Sequence, residues 1–420
     1  MSLELFWNTY IDPITGRDNT ANSQREPDAE WGRVGLLSNQ TAFHLRRGEY
    51  LFQALARTGR LHRIFLPEHG LFAELQDQIP LDSGTIYEQL APGVEFVSLY
   101  GSREESLFVR PELLADLDTL IVDLQDVGSR YYTFATTVSY VFDVLSEKDM
   151  SLRVVVIERA NPAGRAIEGT ILPPEFQSFV GRPGLPHRHG LSLGELCRFY
   201  LEETGARVDL QIVGSAATEI NPLAQTETYA IPPSPNMPGP LTPLVYSGQC
   251  LLEGTNLNEG RGTTRPFEIF GAPYLSWIWN DVARPKQSGA VLRPLQYIPT
   301  FHKFAGETCH GFQLHVTPDQ PYHSLAHTLK ILRWIREHSV NDFAWRSEAY
   351  EFRSDRPAIE ILAGDPVLLD YLRGENNVRF SQVRETMADI EEQWLRRAAS
   401  VLTPGANLRR TPLLTDEDFA

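Results

Sequence analysis

The stretch Thr119-Leu120-Ile121-Val122-Asp123-Leu124-Gln125-Asp126 decides the fold. Its apolar run is continuous and closes on a turn rich in carboxylates and amides. A strand with one wet face would alternate polar and apolar residues, whereas an unbroken run suits a strand covered on both faces of a parallel sheet. A helix-like segment, Tyr131–Glu147, follows it. Working outward, the same unit recurs: further strands are expected at Arg33–Ser38, Arg63–Leu66, Val94–Leu99, Arg153–Glu158 and Val208–Val213. Helix-like stretches lie at Glu49–Thr58 and Ser192–Gly205. The second of these opens with Ser192 and Glu195, a capping-box spacing, and closes at Gly205. Strand–helix alternation of this kind points to the α/β class, with a Rossmann-like parallel sheet.

The Pro-rich segment Ile231–Pro243 (IPPSPNMPGPLTP) interrupts the pattern. Proline fixes φ and lacks an N–H, so neither a helix nor a central strand runs through it. Residues 33–232 are therefore read as the Rossmann-like domain and residues 233–420 as a smaller mixed α/β domain. In the latter a helix is expected at Ser324–Ser339 and strands at Gly311–Val316 and Ala358–Leu362. Residues 1–32 read as a polar extension that frays or wraps the surface.

Composition narrows the function classes. The chain has 420 residues, with 38 Lys+Arg against 54 Asp+Glu and a formal net charge of −16. That sign, with no basic run, argues against nucleic acid or an anionic membrane as partner. No apolar stretch approaches the ~20 residues that span a bilayer. The first thirty residues lack a basic segment followed by an apolar core, which points to the cytoplasm; a processed start would fit a periplasmic or secreted protein equally. Oligomeric state is left open. Cys197, Cys250 and Cys309 are scattered and read as structural thiols. A P-loop, a GxGxxG after the first strand and HExxH are all missing, so no nucleotide cofactor and no metal are expected. One GxSxG string occurs, Gly190–Gly194, but loop residues precede it, so Ser192 is read as a helix N-cap and not a nucleophile.

In an open parallel sheet, ligands bind beyond the carboxyl ends of the strands. Those ends here carry Asn39, then Glu68-His69, then Asp123, Gln125 and Asp126, followed by Arg130-Tyr131. Glu68 sits at a strand-to-loop break, where partial burial would favour a protonated carboxyl, as a general acid needs. Read blandly, Glu68 is a turn acid, His69 a structural histidine and Asp126 an N-cap. His189 is the one ligand-facing histidine expected of the His187-Arg188-His189 loop. The loop Glu253–Glu268 is dense in Gly, Asn and Thr, and its Arg261 and Arg265 can each grip a carboxylate through a bidentate fork.

The ordered motifs FLPEHG (Phe65–Gly70), SLYG (Ser98–Gly101), DLQDVGSRYYTF (Asp123–Phe134), EGTIL (Glu168–Leu172), HGLSLGEL (His189–Leu196), PSPNMP (Pro233–Pro238) and YSGQCLLEGTNLNEGRGTTRPFEIFGAP (Tyr246–Pro273) together form a signature. The chain resembles the bacterial exo-β-N-acetylmuramidases, a glycoside hydrolase family long labelled a domain of unknown function. The resemblance implies two domains with the site in the cleft between them. It implies release of N-acetylmuramic acid from the non-reducing end of peptidoglycan fragments, without a cofactor. Glu68 occupies the position of the family's proposed catalytic glutamate. The second catalytic role falls to Asp123, Glu253, Glu259 or the substrate's own acetamido oxygen. Asn39, His69, Gln125, Arg130, Tyr131, His189, Asn236, Glu253, Asn256, Arg261 and Arg265 are the expected sugar-binding residues, with Arg130, Arg261 or Arg265 holding the lactyl carboxylate. Two departures from the family pattern, Leu71-Phe72-Ala73 after PEHG and Glu158-Arg159-Ala160 before Asn161, bear on subsite detail. The competing readings are a non-catalytic muropeptide-binding protein and, more remotely, a metal-dependent hydrolase using His69, Asp123 and Asp126.

Overall fold

The computed structural model describes residues 2–12, 31–75, 86–215, 229–280, 285, 288–318 and 320–413. Six strands, β1 (Val34–Ser38), β2 (Leu61–Leu66), β3 (Glu95–Ser98), β4 (Thr119–Asp123), β5 (Ser151–Ile157) and β6 (Arg207–Val213), form one parallel sheet. Its order is β3-β2-β1-β4-β5-β6, the doubly wound arrangement, with the switch point between β1 and β4. Along each inner strand successive side chains serve opposite faces. Leu120, Val122, Val154 and Val156 enter one core, and Leu36, Ile121, Val155 and Ile157 enter the other. Both faces are dry, which is why these runs do not alternate.

Helices α2 (Thr133–Glu147) and α3 (Leu193–Thr204) cover the first face, and α1 (Leu51–Arg57) covers the second. Helix α3 begins with the expected capping box, Ser192 N–H donating to Glu195 at 2.9 Å, and ends at Gly205 with φ +65°. Of the two fates expected for the amino terminus, fraying and wrapping the surface, residues 2–11 do not fray. Residues 2–11 are helical, and Phe6, Trp7 and Ile11 are fully buried on the second face. Leu3, Phe6, Trp7, Tyr10 and Ile11 recur at helical spacing, so an apolar stripe outweighs the polar composition of the segment. Residues 13–30 lie outside the described part of the chain.

Beyond the prolines, α4 (Thr242–Gln249) leads into a 3-10 turn at Cys250–Gly254. The strands Ile269–Ala272, Ala290–Tyr297 and Cys309–Val316 form a small antiparallel sheet. Helices α5 (Ser324–His338), α6 (Ala358–Ala363), α7 (Pro366–Arg373) and α8 (Phe380–Ala398) complete the fold. The strand expected at Ala358–Leu362 is the helix α6. Its apolar run is too short for periodicity to decide, and the signal that does decide is Gly364, a left-handed C-cap with φ +55°. The first core is shared across the chain: Leu325, Leu329, Ile361 and Trp394 pack in the same cluster as Phe134 and Val156. No described helix is long and apolar enough to cross a membrane. All three cysteines are buried and unpaired by disulfides.

Candidate functional site

The ends of β1 and β4 serve mostly as framework. Asn39 accepts from the Thr41 N–H at 3.1 Å and its hydroxyl at 2.7 Å, capping a short turn. Its amide, with that of Gln40, also donates to the Pro233 carbonyl, pinning the Pro-rich segment to the sheet. Asp123 is fully buried, and one oxygen takes two hydrogen bonds from Arg159, at 2.6 and 2.9 Å. Burial pushes this carboxyl above its usual range against the pull of Arg159. Gln125 donates to the carbonyls of Asp126 and Ala160. Asp126 accepts from Gly128 N–H and faces His189 at 3.4 Å, while Nδ1 of His189 accepts from Leu191 N–H.

The loop after β2 is different. His69 holds a φ of +72° and Ala73 one of +54°, strained values for residues with a side chain. His69 Nδ1 lies 3.0 Å from the Leu75 carbonyl and closes the loop on itself. Glu68, which precedes this turn, is buried and lines a pocket. One Glu68 oxygen accepts a 2.6 Å hydrogen bond from the Thr133 hydroxyl at the start of α2. The residues just before that helix, Tyr131 and Tyr132, line the same pocket.

The facing wall comes from far along the chain. Asn236 arrives from the Pro-rich segment, Tyr246 from α4, Glu253 from the 3-10 turn, and Arg261 from the loop beyond it. The hollow holds about 500 Å³ of empty space, part of it open to solvent. Arg261 donates to one Glu253 oxygen at 2.7 Å, and the Tyr350 hydroxyl donates to the other. Burial keeps the phenol of Tyr350 well above its ordinary range, so it stays a donor. Arg261 also reaches Glu259 at 3.2 Å. Glu259 is fully buried and is further held by Lys303 at 2.9 Å and His302 at 3.0 Å. Burial opposes its charge, but Lys303, His302 and Arg261 hold the carboxyl well below the usual range.

Of the residues expected from the sequence, Glu68, His69, Tyr131, Asn236, Glu253 and Arg261 thus share one pocket. Asn39, Asp123, Gln125 and His189 belong to the framework just described. Arg130 is buried, and its guanidinium donates to the carbonyls of Thr170, Leu362 and Ala363 at 2.7, 2.8 and 3.0 Å. Asn256 ties its loop to Asp342, Ala344 and Tyr274. Arg265 is half exposed and pairs with Glu268 at 3.4 Å. His69, Asp123 and Asp126 turn to separate partners, and among the described residues no group of three or more His, Cys, Asp or Glu is placed to hold a metal ion. The sequence reading missed Thr133, Tyr246, Tyr350 and Glu351 on the pocket wall. Thr133 and Tyr246 lie inside quoted motifs and were within reach; nothing local marks the other two.

Comparison with known proteins identifies the family of the chain. The family model for the amino-terminal part of the exo-β-N-acetylmuramidase NamZ matches residues 34–240, and the model for its carboxy-terminal part matches residues 244–403. The peptidoglycan β-N-acetylmuramidase NamZ of Bacillus subtilis (strain 168) is 36% identical over 295 residues, 69% of this chain and 69% of that protein. Crystal structures of two DUF1343 family proteins from Bacteroides fragilis NCTC 9343 share the fold. One has a TM-score of 0.72 at 24% identity and the other 0.61 at 25%, each covering 89% of this chain and 94% of its own. The chain belongs to the NamZ exo-β-N-acetylmuramidase family, a family of glycosidases.

Proposed function

We propose that this protein is an exo-acting glycoside hydrolase that releases terminal, non-reducing N-acetylmuramic acid from peptidoglycan fragments, with Glu68 as general acid. The reading rests above all on the Glu68 carboxyl, which lines a pocket beyond the sheet with a second carboxylate, Glu253, in the same pocket. Glycoside hydrolysis needs a proton donor at the leaving oxygen and a second group for the oxocarbenium-like carbon. Glu253 takes that second role, either acting at the carbon itself or orienting the acetamido group that does. Asp123 and Glu259 do not line that pocket, and each is held elsewhere, by Arg159 and by Lys303 and His302. Arg261, the one of the three candidate arginines that lines the pocket, holds the lactyl carboxylate. The Pro-rich segment is the seam between two units, and the site lies between them. Wall fragments recovered inside the cell and the wall outside it present the same terminal sugar, so the chemistry is independent of compartment.

The test is Glu68→Gln against a chromogenic N-acetylmuramic acid glycoside. Hydrolysis should fall by roughly 10²–10⁴-fold while sugar affinity stays within a few-fold. Tight sugar binding without turnover by the unaltered protein would overturn the reading in favour of a binding protein.

A further inference from the structure

Tyr350 and Arg353 exchange both backbone hydrogen bonds, each 2.9 Å, and so close a hairpin on a two-residue turn. The residues between them, Glu351 and Phe352, hold φ values of +44° and +66°. Two successive positive φ angles define the turn that Asn-Gly serves best, because Asn tolerates that region and Gly has no Cβ to clash. Glu and Phe fit it badly, so the surroundings must hold the strain. Packing accounts for Phe352, whose ring lies 5.6 Å from that of Tyr100 and 6.4 Å from that of Phe179. Glu351 faces the pocket side of the same turn. Its carboxylate is buried, meets the Tyr100 hydroxyl at 3.4 Å and lines the pocket that holds Glu68 and Glu253. A strained backbone is a cost, and at this position it falls on a buried carboxyl residue in the wall of a candidate active site.

We propose that Glu351 is a specificity-determining residue that binds substrate directly, its carboxylate accepting hydrogen bonds from ring hydroxyls of the terminal sugar. The proposal rests on the reading above in that it places a sugar in this pocket. The chemistry fits the ligand class: an ionised carboxylate has only acceptors, and a sugar edge offers hydroxyl donors that neutral groups bind less strongly.

Two variants, Glu351→Gln and Glu351→Asn, separate contact from fold. Asn suits a positive φ, so Glu351→Asn should unfold at a temperature no lower than the parent. Both are assayed on a chromogenic N-acetylmuramic acid glycoside and on its 4-deoxy and 6-deoxy analogues. We expect kcat/KM to fall roughly ten- to hundredfold on the full sugar and far less on the analogue lacking the bound hydroxyl. Equal losses on all three sugars, or no loss, would overturn the proposal. Should the parent hydrolyse none of them, the muramidase reading falls by itself, and calorimetric binding of N-acetylmuramic acid and the two deoxy sugars applies the same criterion to Glu351. Absence of both turnover and sugar binding would overturn both ideas.

Discussion

At the scale of single residues, Arg130 and Arg261 show how little a side chain's identity says about its use. Both are arginines in motif loops, and both were candidates for the lactyl carboxylate. Arg130 spends its guanidinium on three backbone carbonyls in the interior, whereas Arg261 reaches the pocket wall. Arg261→Ala is expected to erase most of the preference for muramic over glucosamine glycosides, seen as a ratio of kcat/KM values falling at least about tenfold. Arg130→Ala should leave that ratio alone and, by orphaning buried carbonyls, lower the unfolding free energy by roughly 3 kcal/mol or more in a denaturant titration. A preserved preference in Arg261→Ala would remove this residue from the site. Glu68, His69 and Tyr131 were legible because their motifs sit at strand or helix ends, where the topology of the sheet dictates a ligand site. Tyr350 and Glu351 were not, since no spacing in a sequence reports that Tyr350 meets Glu253, or Glu351 meets Tyr100, across such long stretches of chain.

At the scale of elements, the strands of the large sheet were readable to within two residues: double burial leaves the inner strands with long apolar runs, and the half-exposed edge strand β6 alternates Val208, Leu210 and Ile212 with polar residues. Short helices were not. Helix α6 and the helical turns at residues 2–11 lack the length that lets a 3.6-residue period stand out, and composition misled in both places. Helix α3 was read correctly from its two ends alone. There Ser192 also donates to Glu158 at 2.9 Å, so the hydroxyl serves one helix start and one strand end together. Ser192→Ala should therefore cost about 1–2 kcal/mol of stability with turnover unchanged. A collapse of activity in that variant, with the fold intact, would revive the nucleophile reading of the GxSxG string.

At the scale of the whole molecule, a buried ionic knot joins the middle and the far end of the carboxy-terminal half to the amino-terminal half. Glu168, on the strand Ala166–Ile171, accepts from Arg188 at 2.6 Å and from the Thr411 hydroxyl at 3.0 Å, and faces His323 at 3.2 Å. His323 in turn meets Glu391 of α8 at 3.3 Å, and Glu391 is held by Arg410 at 3.1 Å. Burial alone would lower the pKa of His323, but Glu168 and Glu391 raise it to about 9. Burial likewise opposes the charge of Glu168, yet His323 and Arg188 hold its carboxyl down at about 2. A raised histidine pKa contributes stability that is complete below about 6.5 and disappears as pH climbs to about 9; a depressed carboxyl contributes stability that is complete above about 4.5 and disappears as pH falls to about 2. The contribution of this knot should therefore be fullest between about pH 4.5 and 6.5, and His323→Gln should flatten the alkaline side of the curve of thermal midpoint against pH. This knot and the one apolar cluster running through both halves tie them together, so closure like the shells of a clam is not expected. A sugar bound at the proposed site should then meet a mouth of fixed width, and spectroscopic labels on opposite halves should read one unchanging distance whether the mouth is empty or full.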